Sequence, residues 1–258
     1  MAEVRMELTH RSRSAVLTLS GTLDVRSHAT VRDGLLKAAT EAPEGLIADV
    51  SGLDFASSAR LSVFALVAMR LGNWPGIPFA LVARSPEKAA LLRGLPMARY
   101  APVHRDPAEA EGEFGGPVRR RAVREFPRTG TTAVVAREFV AEVCRAWGVP
   151  GLVEDALVIV TELVENTMQH TASCPEVRVD LRRGICTIAV ADDDPHPAVL
   201  RERQTTIEPG LGLKLVAQFT RVWGCSESWR GGKVVWATLS VAPDALGAGP
   251  ARSGRRFS

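Results

Sequence analysis

Residues 161–171 read TELVENTMQHT. Val160, Leu163, Val164 and Thr167 recur at helical spacing, and Val153, Ala156 and Leu157 extend the stripe backwards, so the stretch ends an amphipathic helix. Glu162 and Asn166 stand at the edge of that stripe. Four residues apart, they point from the same side of the helix, one turn before His170. A carboxylate and a carboxamide at the edge of a core are most often simply solvated. What surrounds them in the chain gives this pair a use.

Upstream, RAVREF at 121–126 reads as a strand, and Thr129 can cap a helix running to Trp147. Val149-Pro150 starts the helix of the opening motif. Downstream, Val177, Val179 and Leu181 alternate, Arg183-Gly184 turns, and Cys186, Ile188 and Val190 alternate back, which predicts a hairpin. An acidic loop, a Gly-rich turn into a helix at GLGLKLVAQF and a last strand KVVWATLSV complete the region. The expected architecture is a helical layer on an antiparallel sheet, an α/β sandwich.

Three segments carry chemistry. VADDDP, 190–195, puts Asp192 where a strand leaves the sheet, and a carboxylate in a cleft can accept from an exocyclic amine such as that of adenine. PGLGLKLV, 209–216, opens a helix with Gly210 and Gly212, whose backbone N–H groups can approach an anion at the positive helix end, with Lys214 in the first turn. RGGKVVW, 230–236, is a Gly-Gly turn into the terminal strand. Each is weak alone. Their order after Glu-x-x-x-Asn is far more specific.

That order resembles the GHKL (Bergerat) ATP-binding fold of histidine kinases, gyrase-type ATPases and anti-sigma serine kinases. TELVENTMQH is similar to its N box, VADDDP and GLGLKLV to its two glycine boxes, while FPRT, AREFV and WGVP resemble the small anti-sigma regulatory kinases. The likeness spans about 118–241. It implies ATP and Mg²⁺ as cofactors, with Asn166 as the metal ligand and Glu162 as base toward the phosphate acceptor. It further implies Asp192 as the adenine contact and Gly210 and Gly212 on the phosphates. There are departures: Asp194 stands in place of the usual Gly, Leu211 of the frequent Arg, and Val234 of the usual Thr. Asp193 and Asp194 would repel phosphate if they faced it.

The first region alternates strands and helices: MELTH, AVLTLSG, a helix from Arg26 to Thr40, LIADV, a helix from Ser58 to Leu71, PFALVA and the helix PEKAALLRG with Pro at its start and Gly at its end. A mixed sheet with helices on one side would bury this pattern. Gly21-Thr22-Leu23-Asp24, Asp49 and Leu53 to Leu61 resemble a STAS domain over about 4–112, the fold of anti-sigma antagonists. The resemblance implies Ser58 as the phosphoacceptor, with Ser57 in place of the usual Asp and Arg60 in place of the usual Gly.

RDPAEAEGEFGGPVRRR, 105–121, is rich in Gly, Pro and charge and reads as a boundary with a short helix at its start. The expected organisation is a STAS-like domain at 1–112, a linker at 113–121, an ATP-binding domain at 122–241 and a disordered tail at 242–258. Charged residues are 24% of the 258 and the net charge is only +3, which does not point to nucleic acid. RRRAVR at 119–124 is a basic boundary segment with no aromatic stacking platform. The four cysteines show no metal spacing and read as reduced, mostly buried thiols of a cytoplasmic protein. No apolar run approaches a membrane span. The region before the ATP domain is β-rich, which disfavours a sensor histidine kinase, whose acceptor His lies on a two-helix segment. The expected function is an anti-sigma-type serine/threonine kinase fused to a STAS domain, switching between a sigma factor and an antagonist partner in the manner of a homodimer-forming regulator. The alternative is a non-catalytic nucleotide-binding module with a degenerate phosphosite.

Overall fold

The computed structural model describes residues 3–42, 44–55, 57–115, 119–194, 196, 220 and 222–241. The predicted helix at 210–219 and the tail at 242–258 lie outside them. The chain divides into two compact units, one formed mainly by residues up to 118 and including 226–234, the other formed mainly by 119–193 and including 235–241.

In the first unit, β1 (Arg5–His10) pairs antiparallel with β2 (Ser14–Leu23). Strands β3 (Gly45–Phe55), β4 (Phe79–Val82) and β5 (Val103–His104) then add in parallel, in the order β1-β2-β3-β4-β5. Parallel neighbours require crossovers. These are α1 (Ser27–Glu41), α2 (Ser62–Asn73) and α3 (Pro86–Arg93). Leu17, Leu46, Ala48 and Leu81 face Leu35, Phe64, Val67 and Leu92 in one core. The residues that alternate with them, Val16, Ile47, Ala80 and Val82, face the other way and pack on Ala110 and Phe114. Those two belong to α4 (Pro107–Glu113) and the residue after it. The sheet is therefore covered on both sides, where the sequence pattern led to one. The near-continuous burial of β2, β3 and β4 needs that second cover.

Gly21 explains part of SGTLDV. Its φ is +102°, and a Cβ there would stand 2.4 Å from the Glu3 carbonyl oxygen. Three residues on, the Asp24 carboxylate accepts from the backbone N–H groups of Arg26 and Ser27 at 2.8 and 2.9 Å, satisfying donors at the start of α1.

α5 (Thr132–Ala146) and α6 (Val153–His170) stack against a second five-stranded sheet of order β6-β7-β8-β10-β9. The strands are β6 (Arg120–Glu125), β7 (Glu176–Arg182), β8 (Ile185–Asp192), β9 (Val222–Glu227) and β10 (Lys233–Ser240). β6, β7 and β8 pair antiparallel. The β7–β8 hairpin closes at Arg183 and Gly184, with φ of 50° and 73°, the left-handed pair that a tight two-residue hairpin demands. Val177, Val179, Cys186, Ile188 and Val190 meet Ile159, Val160, Leu163 and Val164 in the core. Strand β9 was not expected from sequence.

Thr129 is not the cap of α5. Thr131 takes that position without a side-chain cap bond. The turn is instead organised by the buried Thr132 hydroxyl, which donates to the Pro127 carbonyl at 2.6 Å and accepts from the Thr129 N–H at 2.9 Å. Among the described residues no disulfide forms: Cys144 and Cys186 are buried, Cys225 is half-buried and Cys174 is exposed. Among the described residues no helix is long and apolar enough to cross a membrane.

Candidate functional site

The site starts with α6. Glu154 and Asp155 occupy its first turn, where the positive end of the helix favours them. Ala156, Ile159, Val160, Leu163, Val164 and Thr167 are its buried face. This face fixes Glu162 and Asn166 at the border of the core, both half-buried. Burial first, and the neighbouring Glu165 second, push the Glu162 carboxyl above its ordinary range. A half-desolvated carboxylate is a better proton acceptor than a fully hydrated one. The far end of the helix is tied down by Arg128, whose guanidinium donates to the Met168 carbonyl at 2.5 Å.

Strand β8 runs beside α6 and ends at Asp192. Asp192 is 5% exposed, a buried carboxylate at the point where the chain leaves the sheet. The Thr167 hydroxyl reaches its Oδ2 at 3.3 Å. The residue next to Asn166 therefore touches Asp192 directly. Past the strand, the Asp193 N–H donates to the Ser173 hydroxyl at 2.9 Å.

Asp194 bears on the electrostatics. Its carboxylate lies 2.7 Å from His196 Nδ1 and 3.1 Å from Lys233 Nζ. Lys233, at the start of β10, is itself 3% exposed and also donates to the Asp194 carbonyl at 3.2 Å. His196 first and Lys233 second hold the Asp194 carboxyl well below the usual range. The added acid is thus matched by a cation from its own surroundings. Val234 is fully buried. Gly210, Leu211, Gly212 and Lys214 lie outside the described residues.

In the first unit, Ser58 begins a 3₁₀ turn, Ser58–Leu61, that leads into α2. The expected single helix from Ser58 to Leu71 is thus two elements. Ser57, in extended conformation with φ −160° and ψ 154°, makes no side-chain cap bond, and its carbonyl accepts from the Arg60 N–H at 3.1 Å. Ser57 and Ser58 are exposed and Arg60 is half-buried. Earlier in β3, the buried Asp49 accepts from the Ser51 N–H at 3.0 Å and from Arg84 at 3.1 Å.

Two residues escaped sequence reasoning. Thr167 reads as one more small residue of an apolar stripe. Lys233 reads as a turn-exit cation, and its only signal is its place after Gly231-Gly232.

Comparison with known proteins gives matches in both halves. The histidine kinase-like ATPase domain model matches residues 126–239 and the STAS domain model matches residues 5–110. The anti-sigma-F factor antagonist RsfA of Mycobacterium tuberculosis is 28% identical over 103 residues, 39% of this chain and 80% of that protein. An anti-sigma factor antagonist from Mycobacterium paratuberculosis is 19% identical, with a TM-score of 0.36, covering 42% of this chain and 91% of that one. A STAS-domain anti-sigma-factor antagonist from Planctomyces limnophilus is also 19% identical, with a TM-score of 0.37, covering 44% of this chain and all of its own. Residues 5–110 are a STAS domain and residues 126–239 a histidine kinase-like ATPase domain, carried on one chain.

Proposed function

We propose that this chain is an ATP-dependent serine/threonine kinase of the anti-sigma regulatory type, fused to an antagonist-like STAS domain and acting by partner switching in the cytoplasm. The observation that carries this reading is the buried Asp192 carboxylate, held by Thr167 beside the helix edge that presents Glu162 and Asn166. Asp192 accepts from the adenine amino group. Gly210 and Gly212 supply backbone N–H groups to the phosphates. Asn166 suits Mg²⁺, a hard cation that takes few protein oxygens and completes its shell with phosphate oxygens and water. Glu162 takes the proton of the attacking hydroxyl. Transfer of the γ-phosphoryl group asks little more of a protein than this positioning and charge compensation. The domain bounds are 1–112 and 122–241, and the partners are a sigma factor, a STAS-type antagonist, or both.

Ser58 is the acceptor in this reading: it is exposed and begins a turn that leads into a helix, where added phosphate charge is favoured. The flanking Ser57 and the half-buried Arg60 favour a second reading, a nucleotide-binding module that no longer transfers phosphate. Incubation with Mg-ATP and candidate partner kinases, followed by phosphosite mapping, separates the two. Phosphate on Ser58, lost in Ser58→Ala, supports the kinase pair. Nucleotide bound without phosphate on the chain or any partner supports the module.

A further inference from the structure

We propose that Thr167 is a positioning residue for base recognition, its hydroxyl orienting the Asp192 carboxylate toward an exocyclic amine of the bound nucleotide. This rests on the ATP-binding reading above. The observation is a contact between two buried polar groups: Thr167 is 1% exposed, Asp192 is 5% exposed, and Oγ1 lies 3.3 Å from Oδ2. A threonine inside a helix commonly bonds back to the carbonyl four residues earlier, and Thr167 does reach the Leu163 carbonyl, also at 3.3 Å. One hydroxyl proton thus faces two acceptors at equal distance. The ionised one attracts it more strongly. Back-bonding alone needs no partner on β8, so the contact with Asp192 is what assigns the role. It also joins the base end of the site to the helix turn that carries Asn166, one residue away.

The test compares ATP with purine riboside triphosphate, which carries hydrogen where ATP carries the 6-amino group. Calorimetry with Mg²⁺ on the full chain gives both affinities for wild type and for Thr167→Val, which keeps the volume and removes the donor. The expected result is about tenfold weaker ATP binding, the lower range for a hydrogen bond to a charged group, with the analogue nearly unchanged. The ratio of the two affinities therefore falls, and Thr167→Ser restores it. A purely structural role predicts that both nucleotides weaken in parallel, leaving the ratio at its wild-type value, and that outcome overturns the proposal. Should Thr167→Val melt below the assay temperature, Thr167→Ala is read in the same way. Wild type that binds both nucleotides equally overturns base reading through Asp192 and leaves ATP binding standing. Wild type that binds neither overturns both.

Discussion

Ser58 and Asp192 each stand where a strand gives way to a loop, three residues after β3 and at the last residue of β8. Their surroundings are opposite. Ser58 is at the surface on a short 3₁₀ turn with no side-chain cap beside it. Asp192 is buried, gripped by a threonine of the neighbouring helix and followed by a loop pinned through Ser173 and Lys233. In the function proposed above, Ser58 is reached by another protein's site and gains its geometry from that partner, so the STAS fold needs only to expose it. In the same proposal Asp192 selects a small molecule and has to be oriented before the ligand arrives, which its buried hydrogen bond would do.

The largest expected effect tests the ordered side of this contrast. In Glu162→Gln, phosphoryl transfer should fall by roughly two to four orders of magnitude while Mg-ATP binding is retained, the usual contribution of a general base. Unchanged transfer would remove Glu162 from catalysis. The pH dependence has a definite sign. A base whose folded-state pKa is raised loses activity as pH falls through that raised value, so the acid limb of the rate profile lies above the ordinary carboxylate range. A raised folded pKa also means that the ionised form opposes folding, an effect present above that pKa and absent below the unfolded value. Melting curves should therefore show Glu162→Gln slightly more stable than wild type near neutral pH and equal to it in acid.

For the STAS side, the informative change is Phe64→Ala. Phe64 is fully buried among the helices and strands of that unit. Its truncation should cost about 3–5 kcal/mol, read by denaturant unfolding, with faster hydrogen exchange in β2–β4. A cost below about 1 kcal/mol, the range of surface substitutions, would mean that this core is looser than its burial implies. A smaller effect belongs to the loop beyond Asp192. Lys233→Ala leaves the Asp194 carboxylate with His196 alone and should lower stability measurably in denaturant unfolding. Since the Asp194 carboxyl is held low, that contribution is present above the ordinary carboxylate range and fades as pH falls through the lowered value. A variant as stable as wild type at every pH would show that the Lys233 contact is incidental.

Much of both folds is legible in local signals. The period of α6, the Arg183-Gly184 hairpin and Gly21 each state their conformation within a few residues. What stayed hidden depends on distant partners. α4 is expected as a short helix, but with only Ala108 and Ala110 among Pro107, acids and glycine its composition announces no core-facing side. Its place on the sheet is decided by Val16, Ile47, Ala80 and Val82, up to about a hundred positions away in sequence, and by Phe114 just after it. Strand β9, VWGCSE, has neither alternation nor a buried run and exists by its pairing beside β10. The site divides in the same way. Glu162, Asn166 and Asp192 announce themselves by order and spacing. Thr167 and Lys233 acquire meaning only when Asp192 and Asp194 are brought to them, because a threonine in an apolar stripe and a lysine after a glycine turn are ordinary by themselves.

The central claim is that the buried carboxylate at the end of β8 recognises the base of ATP. Calorimetry of the full chain with Mg-ATP, set beside Asp192→Ala, addresses it most directly. Base recognition through Asp192 predicts saturable binding by wild type and at least tenfold weaker binding by the variant, a lost charge-assisted hydrogen bond costing about 1.5–3 kcal/mol. A folded Asp192→Ala that binds Mg-ATP as tightly as wild type, or a folded wild type that does not bind it, would contradict that claim.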